Sequence, residues 1–178
     1  ANLMDLTDLT ELTNLKGVTR RDAVTLLKSP NYFGPMMVHV GDADGYLGGI
    51  AHHYPDIVKP CLQTIGPASD SHRIVGLYMM TVNGQLMFIA DATINIYPDS
   101  RTLAEIAVQT AKVARRFGVK PKVAMLSFSN FGTSNEMRTD RIEEAISIAR
   151  ELNPELVIDG PMQADTALVP EKQKEFPF

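Results

Sequence analysis

The stretch VAMLSFSNFGTS, residues 123–134, opens as an apolar run and turns within a few residues into Ser, Asn, Gly and Thr. Read from Lys122, KVAMLSFS is nearly continuous in its apolarity. That is the pattern of a strand in a parallel sheet covered on both faces. In open sheets of this kind ligands bind beyond the carboxyl ends of the strands, where this polar loop would stand.

The flanking segments extend the same pattern. Upstream, Leu103, Ile106, Thr110, Val113, Ala114 and Phe117 form the inner stripe of a helix predicted from about Asp99 to Phe117. Thr102 and Glu105 have capping-box spacing, so its start is Asp99 or Thr102. Gly118 ends it. Downstream, Ile142, Ala145, Ile146, Ala149 and Leu152 mark a second helix, and ELVIDG, residues 155–160, a second short buried strand. Earlier still, RIVGLYMMTVNGQLMFIAD holds two apolar runs around Asn83-Gly84, a dipeptide that accepts the positive φ of a tight hairpin. From residue 86 the order strand, helix, strand, helix, strand predicts right-handed crossovers. The expected fold class is α/β: a three-layer αβα arrangement, mostly parallel, with an added antiparallel hairpin.

The first third reads as helical. Leu recurs at 3, 6, 9, 12 and 15, which predicts one helix with a drifting apolar stripe, stopped by Gly17. Thr19 opens a helix through Lys28 with Leu26 and Leu27 facing inward. NYFGPMMVHVG has helical spacing, and GYLGGI predicts a short buried strand. PDIVKPCLQTIG predicts a helix with Pro55 at its start and Gly66 after it. The methionines at 36, 37, 79, 80, 87 and 125 read as core filler.

Composition sets bounds on function. Hydrophobic residues are 44% and charged residues 21% of the 178, an ordinary globular balance, with a formal net charge of −4. No run of Lys or Arg exceeds two, so a nucleic-acid partner is not expected. No apolar run approaches the ~18 residues of a membrane span, and no secretory signal opens the chain. Cys61 is the single cysteine, so no disulfide forms within one chain, and a cytoplasmic location is expected.

Three loops hold candidate chemistry. In residues 127–134, Thr133 and Glu136 have capping-box spacing before a helix, with Thr139 a second possible start. A helix N-terminus offers free N–H groups and partial positive charge to an anion. Ser127, Ser129, Asn130, Thr133 and Ser134 add short donors, and Gly132 admits close backbone approach. Plain capping and turn chemistry is the other reading. In GDADGYLGG, Asp44 and Gly45 belong to a loop that mimics a calcium site. A twelve-residue count from Asp42 fails, because Leu47 stands where Gly is needed and His53 where Glu is needed. After the last strand, Asp159, Gly160, Gln163 and Asp165 form a polar cluster suited to acid–base work or to capping the next helix. His52 and His53 are adjacent and diverge, so no metal site is expected.

Taken together, YFGPMMVHVGDADGYLGG, KPCLQTIG, LAEIAVQTAKVARRFGVKPKVAMLSFS and PELVIDGPMQADTAL resemble the phosphate acetyl/butyryl transferase family. SFSNFGTS, HHYPDIVKP and the closing FPF are most similar to the transferase-like C-terminal domain of bacterial hybrid NADP-dependent malic enzymes. The resemblance implies a truncated phosphotransacetylase fold with a CoA cleft between lobes. Residues 1–58 would be a helical remnant of the first lobe and 59–178 the second α/β lobe. It further implies a regulatory and oligomerising domain, at least dimeric, that responds to acetyl-CoA or a phosphate-type ligand. NADP and a divalent metal, Mg or Mn, would be held in another domain of the parent and no cofactor in this chain. An active phosphate acetyltransferase is the alternative, and Phe131 is the residue expected to discriminate, since a bulky apolar side chain does not stabilise an anion. The family's Ser-Arg catalytic pair has no counterpart among these residues, so no catalytic residue is assigned.

Overall fold

The computed structural model describes residues 17–68, 73–131 and 137–176. The helix expected over 3–15 lies outside the described residues, as do Gly132, Thr133 and Ser134. The chain divides into two compact units, Ala1–His72 and Arg73–Phe178. Helix α3 (Tyr54–Thr64) runs through position 58, where the sequence placed the lobe boundary.

In the first unit, α1 (Arg20–Leu26) starts on a complete capping box. The Thr19 hydroxyl accepts from the Asp22 N–H, and Asp22 accepts from the Thr19 N–H at 2.9 Å. Helix α2 (Pro30–His39) begins on a proline, which suits the first turn. Ala23 and Met36 are buried together, with Val24, Leu27 and Tyr32 half-buried around them. Tyr32 donates to Gln63 Oε1 at 2.6 Å, fastening α2 to α3.

GYLGGI is not a strand. Residues 41–50 form a loop in which Leu47 is 98% exposed and Ile50 is fully exposed. Tyr46 is what organises it. A Cβ on Gly34 or Gly48 would collide with the Tyr46 ring, and its hydroxyl donates to Asn31 at 3.1 Å. Asn31 in turn donates to the Asp56 carbonyl. The glycines give the ring room, where the sequence suggested strand packing.

The second unit opens with the hairpin β1 (Leu77–Val82) and β2 (Gln85–Ala90), in unbroken antiparallel register. Asn83 and Gly84 take φ of 50° and 76°, as the turn requires. Helix α4 (Ser100–Arg116) follows, then β3 (Lys122–Leu126), α5 (Met137–Leu152) and β4 (Val157–Met162). Short helices α6 (Ala164–Leu168) and α7 (Pro170–Gln173) close the described chain. β3 and β4 pair in parallel across the α5 crossover, while among the described residues the hairpin pairs only with itself.

The buried stripe of α4 is rotated from the expected one. Ala104, Ala107 and Ala111 are buried with Ile106 and Ala114, whereas Phe117 is half exposed. The reason is helix–helix packing. These alanines join Ala145, Ile146 and Ala149 of α5 and Met125, Leu156 and Ile158 of the strands in one core. Small residues at such a contact allow closer helix approach. Met79 and Met80 are not core residues, for they stand on exposed strand surface.

The pairing of β3 with β4 slips between Ala124 and Leu126, where β4 carries an extra residue. Gly160 sits at that slip with φ +140°, and a Cβ there would lie 2.5 Å from the Met125 carbonyl oxygen. Gly160→Ala is therefore expected to destabilise the chain by about 3 kcal/mol, from left-handed strain plus the collision. Urea unfolding followed by circular dichroism measures it.

Candidate functional site

The end of the β3–β4 pair brings Ser127, Ser129, Asn130 and Gln163 into one loop cluster. Beyond Leu126 the chain bends away, and the Ser127 N–H donates to the Met162 carbonyl at 2.8 Å. The Phe131 N–H donates to the Pro161 carbonyl, also at 2.8 Å. Between these anchors the loop is stapled by Gln163. Its backbone N–H donates to Asn130 Oδ1 at 2.7 Å, Asn130 Nδ2 donates back to Gln163 Oε1 at 3.1 Å, and Gln163 Nε2 donates to the Phe128 carbonyl at 2.7 Å. Asn130 and Gln163 thus act on each other, and their polarity holds the loop in shape.

Ser129 is different. It is only 9% exposed, and among the described residues its Oγ has no hydrogen-bond partner. Burying a hydroxyl without a partner costs about 1–3 kcal/mol. A ligand acceptor reaching this position would recover that cost. Ser127 and Asn130 flank it half-buried, and Phe128 is turned to solvent. Phe131 has φ +37°, and its ring packs on Phe176 with centroids 5.1 Å apart.

Asp159 is exposed on β4 and accepts from the Gly160 N–H at 2.9 Å. Asp165 accepts from the Thr166 N–H within α6. Asp44 and Gly45 lie exposed in the loop of the first unit described above. Cys61 is half-buried, and burial pushes its thiol pKa up, so it is held as the less reactive neutral form. Among the described residues, no helix is long and apolar enough to cross a membrane.

A second polar centre follows β2. Asp91 accepts from the N–H groups of Thr93 at 2.9 Å, Ile94 at 3.0 Å and Asn95 at 3.1 Å, and from the Asn95 side chain. Asn95 also donates to the Ile74 carbonyl. Gly76 lies so near that a Cβ would meet Thr93 and Asp91. Beside this turn, Arg73, Asn95, Tyr97, Asp99 and Thr102 line a cavity of about 360 Å³. Asp99 is the N-cap of α4, accepting from the Thr102 N–H at 2.7 Å, which resolves the choice of helix start. The sequence marked Asp91 and Asn95 only as polar residues after a strand. The recurrence of Asp, Thr and Asn at 91, 93 and 95 was the available signal of a side chain closing its own turn.

Residues 4–177 match the family described as phosphate acetyl/butaryl transferase. The chain belongs to that family. It is 42% identical over 152 residues to the phosphate acetyltransferase of Bacillus subtilis, covering 85% of this chain and 47% of that protein. It is 40% identical over 155 residues to that of Corynebacterium glutamicum, covering 87% and 47%. Among solved structures it is similar to a phosphotransacetylase from Streptococcus pyogenes, with TM-score 0.83 and 38% identity over 98% of this chain and 54% of that one. The EutD phosphotransacetylase from Staphylococcus aureus gives 0.78 and 36%, over 95% and 53%. The α/β fold with parallel pair and hairpin is thus that of the phosphotransacetylases. The chain spans about half the length of the curated relatives it matches.

These relatives overturn the malic-enzyme expectation, and the oxidoreductase and NADP expectations with it, since at 40–42% identity over most of the chain they are phosphate acetyltransferases. Phe131 misled for a physical reason. Its ring lies on Phe176 and its N–H is committed to Pro161, so the residue reports how the loop is held and not which ligand it meets.

The Asp91 cradle carries a pH signature. Burial raises its pKa, but the N–H groups of Ile94 and Thr93, then the side chain and N–H of Asn95, outweigh burial and hold it below the ordinary value. A carboxylate depressed in the folded state stabilises above its unfolded pKa of about 3.9, and that contribution is lost as pH falls through the folded value. Asp91→Asn is expected to unfold about 2 kcal/mol more easily at pH 7. The gap from wild type should close below about pH 4 in urea midpoints measured across pH.

Proposed function

We propose that the protein carrying this chain moves an acetyl group between CoA and phosphate, and that the loop at 127–131 is part of its anion subsite. The observation that carries this is the buried, unpartnered hydroxyl of Ser129, held at the carboxyl end of a parallel strand pair in a chain of the phosphate acetyltransferase kind. In the transfer, a phosphate oxygen attacks the thioester carbonyl, the acetyl–sulfur bond breaks, and the CoA thiolate leaves. Two anionic partners must be held together while negative charge gathers on the carbonyl oxygen. Fixed hydrogen-bond donors serve that task because they need no reorganisation as the charge develops.

In this reading Ser129 donates to a phosphate oxygen of CoA or of the acceptor. The Gln163–Asn130 staple fixes the direction of that donor. The proposed ligand set also takes in Ser127, Asp159 and Gly160, while Gly132, Thr133 and Ser134, named with it from the sequence, lie outside the described residues. In this reading the reaction has two substrates, acetyl-CoA and phosphate. The lone Cys61 suits a cytoplasmic protein.

Calorimetric titration with CoA tests the subsite. Ser129→Ala is expected to weaken binding about fivefold, the worth of one hydrogen bond. Ser129→Glu, which sets a carboxylate against the anion, should weaken it more than tenfold. Unchanged affinity in both would move the ligand elsewhere. The reaction is tested by acetyl-CoA formation from acetyl phosphate and CoA, in the protein at the length of its relatives. No turnover above background there would refute the transferase reading.

A further inference from the structure

The segment after β4 meets the polar loop at both of its ends. Its first residue, Gln163, stands at the N-cap of α6 and is bonded to Asn130 and to the Phe128 carbonyl. Its last described residue, Phe176, lays its ring on Phe131, with centroids 5.1 Å apart and ring planes tilted by 53°. The neighbouring loop residues Asn130 and Phe131 are therefore held from the two ends of one stretch of chain.

What lies between is folded so as to bring Phe176 back. The Val169 N–H donates to the Asp165 carbonyl at 2.8 Å as α6 ends, and the Gln173 side chain donates to the Ala167 carbonyl at 3.1 Å, fastening α7 to α6. The Phe176 N–H donates to the Gln173 carbonyl at 3.1 Å, and Lys172 pairs with Glu175 at 3.3 Å. Residues 171–175 are all exposed, whereas Phe176 is half-buried. It is the residue of this tail that is withdrawn from water.

Phe131 needs such a partner. It takes φ +37°, a left-handed conformation that a bulky aromatic residue rarely adopts. A residue in that region persists only where its surroundings fix it. Two contacts do so here, the N–H bonded to the Pro161 carbonyl and the ring on Phe176. Relaxation of Phe131 to negative φ would swing the chain before it, and with it Asn130 and Ser129. Ser129 carries the buried hydroxyl that has no partner among the described residues.

We propose that Phe176 is a positioning residue for the anion subsite: its ring holds Phe131 in the left-handed conformation and so keeps the Ser129 hydroxyl in place. The proposal rests on the Ser129 reading and goes beyond it, since it makes the tail after β4 a determinant of ligand affinity. Phe176 acts through Phe131 and touches no substrate itself.

Calorimetric titration of the protein at the length of its relatives, with CoA and with inorganic phosphate separately, tests it. Ser129→Ala identifies which of the two the hydroxyl serves, through a roughly fivefold loss of affinity. For that one, Phe176→Ala is expected to weaken binding roughly threefold, while Phe176→Tyr, which keeps the ring, retains wild-type affinity. With Ser129→Ala already present, Phe176→Ala should cost nothing further, because a residue that acts through another has no effect once the other is gone. Phe131→Gly gives a second background with the same expectation, since glycine takes positive φ unaided. Far-UV circular dichroism reads the fold of each variant; if Phe176→Ala lowers the helix content, Phe176→Leu, which keeps apolar bulk over Phe131, carries the same cycle. Unchanged affinity of Ser129→Ala for both CoA and phosphate would overturn the subsite reading and this inference together. A normal Ser129→Ala loss with no effect of Phe176→Ala, or a Phe176→Ala loss that persists undiminished in either background, would overturn this inference and leave the subsite standing.

Discussion

The close passage of Gly160 past the Met125 carbonyl is the constraint on which the second unit depends. A side chain at 160 would enter that carbonyl's space, 2.5 Å from the oxygen, so β4 can stay against β3 only as glycine there. The slip in register at this point brings Met162, in place of the residue before it, opposite Leu126. That one-residue shift sets which carbonyls face the loop. Met162 receives the Ser127 N–H, Pro161 receives the Phe131 N–H, and Gln163 is delivered beside Asn130. The shape of the polar loop is therefore a consequence of a backbone contact in the sheet.

The layer behind the strands depends on a different economy. Helices α4 and α5 meet through Ala104, Ala107, Ala111, Ala145 and Ala149, all almost wholly buried. Alanine contributes little apolar area per residue but permits close contact between helices and costs no side-chain entropy. Polar ties then fix the crossover. Arg150 donates to the Ile158 carbonyl at 2.9 Å, Arg141 to the Pro98 carbonyl at 3.2 Å, and Ser100 to Glu144. Each joins α5 to a neighbouring segment, so the crossover helix is positioned from both ends.

Local grammar was legible where one residue settles the backbone. Asn83-Gly84 gave the turn, Thr19 with Asp22 the capping box, and Gly66 and Gly118 the helix ends, both with positive φ. The strand 122–126 was legible from its apolar run after Lys122, and its parallel partner from the short apolar segment Leu156–Ile158 before Asp159 and Gly160. What periodicity could not give was the choice among faces. In α4 it weighted Leu103, Val113 and Phe117 by size, but the partner helix selected alanines. In GYLGGI, apolar residues between glycines looked like a buried strand. The glycines instead make room for the Tyr46 ring, a contact made with Gly34 twelve positions away. Of the site, the loop and its strand were readable. The Gln163 staple was not, because residues 33 apart in sequence form it.

The roles of the loop residues follow from which donors are already committed. Ser127 N–H, Phe131 N–H, the Asn130 amide and both nitrogens of Gln163 end on acceptors of the protein itself. Such donors cannot be turned toward a ligand without breaking the loop that holds them. By sequence alone Ser127, Ser129 and Asn130 were equal candidates for contacting an anion, since all are short and polar, and Gln163 stood in a separate cluster. Among the described residues, the structure separates them into a frame and one buried hydroxyl without a partner, that of Ser129. A buried donor without an acceptor is unfavourable in the free chain, and a frame this closely bonded prevents it from relaxing onto a neighbour. Such an arrangement persists at a cost to stability, which is the pattern expected where a fixed dipole is kept for a substrate. That asymmetry, more than the number of polar residues in the loop, places Ser129 at the centre of the proposed subsite.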